Sequence, residues 1–423
     1  MTAPKSSRVA RVLAARAGKP SAAPGDALDV IPDRLLMDGE GGLALADAFH
    51  RTTKRVREGL GARVIMLDSS RLGRRERPGL LEFASGMGAT IALDPVLSGW
   101  PSQVAVEEGL VSADDVVCAL DPEAGALGGL GTVVLATAPD VAASLLRRRS
   151  MPVTVPNTAR VAINGRLPRW LGPFELALSV IDALGGRESA RGRVIELSGE
   201  AISALPVDDR MTLCGVLARA GISALVPPDV ATRTWLAARH PGGTGDDVVS
   251  HLTDSAEADA ESGDVDQDAR LDAEVDASKL TPAALYAPWP GDPIDPTGEE
   301  TSSIQQVILG GRLSELRLAA HALAERPLHP GLHLVVIPAS RRVLVQAMEE
   351  GLITAFVRSG AAIMPPGFAP PNAPKRERRV TNVPTGANDL LAGAAVVGAS
   401  ALAGRLVDPE TVRREQRRAA SIR

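Results

Sequence analysis

Residues 305–364 read QQVILGGRLSELRLAAHALAERPLHPGLHLVVIPASRRVLVQAMEEGLITAFVRSGAAIM, and the order of their apolar segments decides the fold class. The run VILGG ends in a glycine turn, and a stretch of helical spacing follows from Leu313 to Glu325. A β-rich run from His333 to Pro338 comes next, then a second helical stretch from Arg342 to Glu350 and beyond. Strand, turn, helix, strand and helix in that order form a doubly wound βαβ pattern, in which ligands sit at the carboxyl ends of the strands.

The first 240 residues repeat this logic. Short apolar runs at 62–67 (ARVIML), 89–93 (ATIAL), 115–120 (DVVCAL) and 132–136 (TVVLA) alternate with helical segments such as FELALSVIDAL at 174–184. The alternation predicts a parallel or mixed sheet covered by helices. From about Gly242 the composition turns acidic and small, with Arg270 and Lys279 the only strong bases up to that lysine. The prolines of KLTPAALYAPWPGDPIDPTGEE then impose extended backbone. The reading is therefore α/β domains over 1–240, an acidic, Pro-rich linker or excursion over 241–300, and a further α/β domain over 301–423.

Aromatic residues make up only 2% of the 423, so Ala, Val, Leu and Ile must fill the cores, and stacking platforms for nucleic acid are not expected. A formal net charge of -5 offers no global attraction to nucleic acid or anionic membrane. The basic runs 375–379 and 413–418 read as solvated surface. The longest apolar stretch, Leu390 to Gly404, is shorter than a spanning helix needs, and the N-terminus has no signal-type apolar core. A soluble, cytoplasmic protein is expected. The two cysteines, Cys118 and Cys214, exclude a disulfide framework and read as small core residues.

Local motifs carry little chemistry. GALGGLGT at 125–132 lacks the lysine and hydroxyl of a phosphate-binding loop and reads as a site of close backbone packing. His329 and His333 flank Pro330-Gly331, so they read as a turn rather than a helical metal pair. Asp38, after an apolar run, is either a site carboxylate or an ordinary turn residue.

Taken together, VIPDRLLMDGEGGLALADAF (30–49), SQVAVEEGLV (102–111), GALGGLGT (125–132), IELSGEAISALPVDDRMTLC (195–214), GISALVPPD (221–229), ILGGRLSEL (308–316), the 330–361 segment and LLAGAAVVGASALAGRLVDPETV (390–412) resemble the large subunit of the aconitase and 3-isopropylmalate dehydratase superfamily. The resemblance implies three doubly wound α/β domains around a central cleft. It also implies that the chain ends where that large subunit ends, so that the swivelling small domain is supplied as a separate partner subunit.

Members of that superfamily hold an iron-sulfur cluster on three cysteines, and the positions that match here are Ile308, Phe368 and Pro371. None of these side chains can replace a thiolate, so no cluster and no other metal is expected. Phe368 is expected to fill part of the vacated volume. The family's acid-base and substrate positions are altered as well. Met37-Asp38 stands for its His-Asp pair, Ser69 and Ser102 for two histidines, and Gly215 and Arg219 for an Asn and a Glu. Asp121 matches its Asp-Ser-His motif only with a slipped register, and the segment 380–389 that should grip a substrate carboxylate has no Arg. Asp38, Asp121 and Arg219 thus remain as candidate catalytic residues, with Ser69, Ser102, Gly215 and Arg312 lining the cleft.

Two readings follow from the resemblance. One is a cluster-free lyase or isomerase acting on a small carboxylated metabolite, with specialised metabolism as its setting. The other is an inactive scaffold or regulatory subunit for a swivel-domain partner or an active paralogue. Neither calls for nucleic acid or membrane.

Overall fold

The computed structural model describes residues 7–52, 64–67, 77–92, 99–239, 271–286, 296, 303–368, 378–383 and 389–421. After an N-terminal helix, Arg8–Arg16, the chain forms β1 (Ala27–Val30), which pairs antiparallel with β7 (Met151–Thr154) in a two-stranded ribbon. Between them lies a five-stranded parallel sheet of β2 (Arg34–Met37), β3 (Val64–Leu67), β4 (Thr90–Ala92), β5 (Val116–Ala119) and β6 (Val133–Ala136). Its spatial order is β4-β3-β2-β5-β6, so the connections run outward in both directions from β2 and β5.

A second parallel sheet, in the order β10-β9-β8-β11, joins β8 (Asn157–Asn164), β9 (Arg193–Ser198), β10 (Ser223–Leu225) and β11 (Ala273–Asp276). The third holds β12 (Ala284–Tyr286), β13 (Gln306–Gly311), β14 (His333–Pro338), β15 (Ala362–Ile363), β16 (Arg379–Thr381) and β17 (Asp389–Ala392). There the order is β12-β17-β16-β13-β14-β15, parallel throughout except for β12 at one edge. All three sheets are doubly wound, as expected.

Each sheet has an aliphatic core. Ile195, Leu197, Leu213 and Leu217 are buried against the second, and Val307, Leu309, Val336 and Phe356 against the third. The Gly- and Ala-rich stretch at 390–404 becomes β17 and the helix Ala394–Ala403, whose residues from Ala394 to Ala401 are all buried. Its uniform apolarity thus reflects burial on every side. Among the described residues, no helix is long and apolar enough to cross a membrane.

Four expectations are corrected. The segment 241–300 is not a linker throughout, because β11 completes the second sheet beside β8 and β12 the third beside β17. Only Val275 of β11 is buried, so this edge strand reads as acidic coil in sequence. The helical run after Arg341 is two helices, Arg341–Glu349 and Leu352–Ser359, broken at Gly351 with φ 76°. Of the basic run at 375–379, Arg379 is no surface residue: it is 1% exposed, within 3.8 Å of Asp389, and donates to Gln306 at 2.9 Å. The glycines that close VILGG form no turn, since β13 runs on to Gly311 with Ile308 in mid-strand, level with Val335 on one side and Thr381 on the other.

The glycine-rich segment is packing, as read. Residues Pro122–Leu130 form a 3-10 helix pressed against the helix Val207–Arg219. A Cβ on Gly128 would stand 2.0 Å from the Ala224 carbonyl oxygen, and one on Gly129 2.4 Å from the Met211 nitrogen. His329 and His333 flank a turn, also as read.

Candidate active site at the meeting of two switch points

In a doubly wound sheet a crevice opens where the strand order reverses, outside the carboxyl ends of the two central strands. In the first sheet these ends carry Asp38, just after β2, and Asp121, two residues after β5. In the third they carry Arg312, after β13, and Asn382, after β16. The structure brings the two crevices together through Arg312.

Arg312 caps the helix Leu313–Leu323 and is only 2% exposed. Its Nε donates to Gln103 Oε1 at 2.9 Å, and one Nη donates to Ser102 Oγ at 3.0 Å and to Glu123 Oε1 at 3.1 Å. Ser102 donates in turn to Glu123 at 2.7 Å, and the Trp100 ring lies 5.4 Å from the guanidinium. Gln103 donates to Glu107, which also accepts from Ser340, the cap of the helix Arg341–Glu349. On the far side Asn382 accepts from Gly310 N–H at 2.9 Å and donates to Glu315 at 2.8 Å. First and third domains are therefore joined by a continuous buried polar network.

Glu123 stands at the centre of this network, and its Oε1 takes these hydrogen bonds. Its Oε2 is buried with no hydrogen-bond partner among the described residues. Burial raises its pKa above the ordinary value, against the opposing pull of Arg312 and Ser102. Arg219, partly buried at the end of the helix Val207–Arg219, has its pKa lowered by burial, opposed by Glu315, Glu123 and Asp121.

The expected site residues divide accordingly. Ser102, Arg312, Asp121 and Arg219 come together around Glu123. Asp121 caps the 3-10 helix, accepting from Glu123 N–H at 2.9 Å. Asp38 is 6% exposed and accepts from Gly41 N–H at 2.6 Å, so it caps the helix Gly39–Thr52. Gly215 does not line a cleft: it is buried where its helix meets the 3-10 segment, and a Cβ there would lie 3.3 Å from that of Ala126. Phe368, after the left-handed Gly367, is partly exposed rather than enclosed. Ser69 and Pro371 lie outside the described residues. Sequence reasoning missed Glu123, Gln103, Asn382 and Glu315. The only trace of Glu123 was its place two residues after Asp121 on a strand end.

The thiols present do not fit a cluster of the family's kind. The chain has two, Cys118 in β5 and Cys214 in the helix Val207–Arg219, both fully buried in separate cores and pushed up to about 12 by burial. Among the described residues, no three carboxyl, imidazole or thiol groups stand close enough to share a metal ion.

Three doubly wound domains, with the crevices of the first and third converging on buried charged groups, define a multidomain α/β protein with an aconitase-like fold. The model of the aconitase family (aconitate hydratase) matches residues 80–307, and the chain belongs to that family. It is 30% identical over 359 residues to a 3-isopropylmalate dehydratase large subunit of Moorella thermoacetica, covering 79% of this chain and 80% of the relative. It is likewise 30% identical to that of Clostridium beijerinckii (72% and 74% covered) and 31% identical to one of Methanopyrus kandleri (68% and 66% covered). Within the segment 191–229, one buried ion pair serves structure. Arg210, fully buried, pairs with Asp229 at 2.9 Å and donates to two backbone carbonyls.

Proposed function

We propose that this chain is a cluster-free large subunit that binds a small carboxylated metabolite at the junction and acts on it as a lyase or isomerase. Its setting is specialised metabolism, and a swivel-type small subunit completes the site, in line with the large-subunit names of its relatives. The observation that carries this reading is Glu123: one carboxyl oxygen is anchored by Arg312 and Ser102 while the other has no partner. A carboxyl whose proton is held by burial suits the donation of that proton to a departing hydroxyl. Asp121, close enough to act on the Glu123 charge, is the candidate to take the C–H proton, and Arg219 supplies positive charge for a substrate carboxylate. In that elimination the C–H pair becomes the new double bond, and the hydroxyl leaves as water with the Glu123 proton. Two thiols in place of three support the absence of a cluster.

The test is deuterium incorporation from heavy water into small hydroxy-polycarboxylates, read by mass spectrometry with and without a candidate small subunit. Exchange is expected, and Glu123→Gln is expected to lower it by about a hundredfold or more. Undiminished exchange in that variant would remove the proposed chemistry. A second reading, the inactive scaffold, draws on Arg312, whose described donors already bond protein groups. A small subunit that binds tightly while no substrate exchanges would favour it.

A further inference from the structure

Beside the junction, between the second and third domains, lies a cavity of about 150 Å³. Three helices bring carboxyl groups to it: Glu175 from Pro173–Ala183, Asp209 from Val207–Arg219 and Glu315 from Leu313–Leu323. Among the described residues no Lys, Arg or His lines it, and much of the remaining wall is aliphatic or aromatic, including Leu167, Phe174 and Leu318.

Glu175 is 2% exposed. Its Oε2 accepts from Gly172 N–H at 3.0 Å, while its buried Oε1 has no hydrogen-bond partner among the described residues. Gly393, across the cavity wall, leaves that oxygen its room, since a Cβ there would stand 2.3 Å from it. The other two carboxyls do not play the same part. Glu315 is already engaged by the Arg312 N–H, Thr212 and Asn382, whereas Asp209 is partly exposed on the first turn of its helix.

A buried oxygen without a donor is costly, and the lining supplies no cation to meet it. The carboxyls do not form a group that could share a metal ion, so the fitting occupant is a cation that carries its own N–H donors. An engineered cavity of about 150 Å³ admits benzene, which sets the size at roughly six non-hydrogen atoms. The mixed wall adds an apolar stem to the charged head.

We propose that this cavity binds a small primary amine, with its ammonium group on Glu175 and Asp209 and its aliphatic stem against Leu167, Phe174 and Leu318. Because the walls come from two domains, the ligand would hold them together. Glu315, which also accepts from Arg312, connects this site to the junction, but the proposal does not depend on any activity there.

The experiment is thermal melting of the full chain with n-butylamine at constant ionic strength and about pH 8. n-Butanol and tetramethylammonium chloride serve as controls. A saturable rise in Tm is expected with n-butylamine and with neither control, and Glu175→Gln is expected to weaken the apparent affinity at least about tenfold, as for loss of a charged hydrogen bond. No saturable rise, an equal rise with either control, or undiminished affinity in Glu175→Gln would overturn the proposal. If that variant fails to fold, Asp209→Asn carries the same test, and undiminished affinity there overturns it equally.

Discussion

Two buried polar centres lie next to each other in this molecule and are built on opposite principles. At the junction Arg312 is enclosed by Gln103, Ser102 and Glu123, so a guanidinium and a carboxyl group meet with directed hydrogen bonds. In the neighbouring cavity Glu175 has no cation beside it among the described lining residues, and each centre leaves one carboxyl oxygen without a hydrogen-bond partner among the described residues, Glu123 Oε2 in the one and Glu175 Oε1 in the other. An ion-paired network stiffens the contact between domains, whereas a carboxyl without a counter-cation stores a preference for whatever brings one. Glu315 belongs to both and takes its hydrogen bonds from the junction side.

The largest expected effect would break the ion-paired centre. Arg312→Met leaves Glu123 buried without its cation and should cost about 3–5 kcal/mol in equilibrium urea unfolding. Adding Glu123→Gln should restore a good part of that loss by replacing the stranded carboxyl with a neutral amide. A cost below about 1 kcal/mol for the single variant would mean that the network does not hold the domains together.

The centre without a counter-cation makes a prediction in pH. Burial pushes the Glu175 carboxyl from an ordinary 4.5 up to about 7 in the folded protein. Between those values the native state keeps a proton that the unfolded chain has released, so stability must fall as pH rises through that window. At about 1.4 kcal/mol per pKa unit the loss is roughly 3 kcal/mol. Urea titrations from about pH 5 to pH 8 should show it, and Glu175→Gln should flatten the curve. Asp209, pushed up to about 6 by burial, should leave a smaller fall in both proteins. A wild-type curve that rises over this range would contradict the burial of an unpartnered Glu175.

Asp38 offers the smallest effect and sharpens the comparison from the side. As a helix cap it should cost about 1 kcal/mol on replacement by Ala, with deuterium exchange at the junction unchanged. Collapse of exchange with little change in Tm would instead place its carboxylate in the chemistry.

Legibility in the sequence followed the kind of interaction. Strands such as VILGG and HLVVIP and the helix after Arg312 were readable because their apolar periodicity is local. The edge strand Ala273–Asp276 was not, since three of its four residues are outside the core and only its pairing with β8 makes it a strand. The candidate site showed the same limit. Arg312 and Ser102 could be named from the resemblance, but they are 210 residues apart, and nothing local says that one donates to the other. Glu123 was passed over because a Glu after Pro122 looks like a solvated turn until the neighbouring domain covers it.

The sequence by itself determined the α/β class and the shortage of thiols, because periodicity, turn chemistry and residue inventory are properties of short stretches, and the resemblance carried by its motifs implied the three doubly wound units and the family. Only the tertiary structure decided which charges are neutralised and which are left waiting. A carboxyl group's partner, and its proton, depend on what the rest of the chain buries around it.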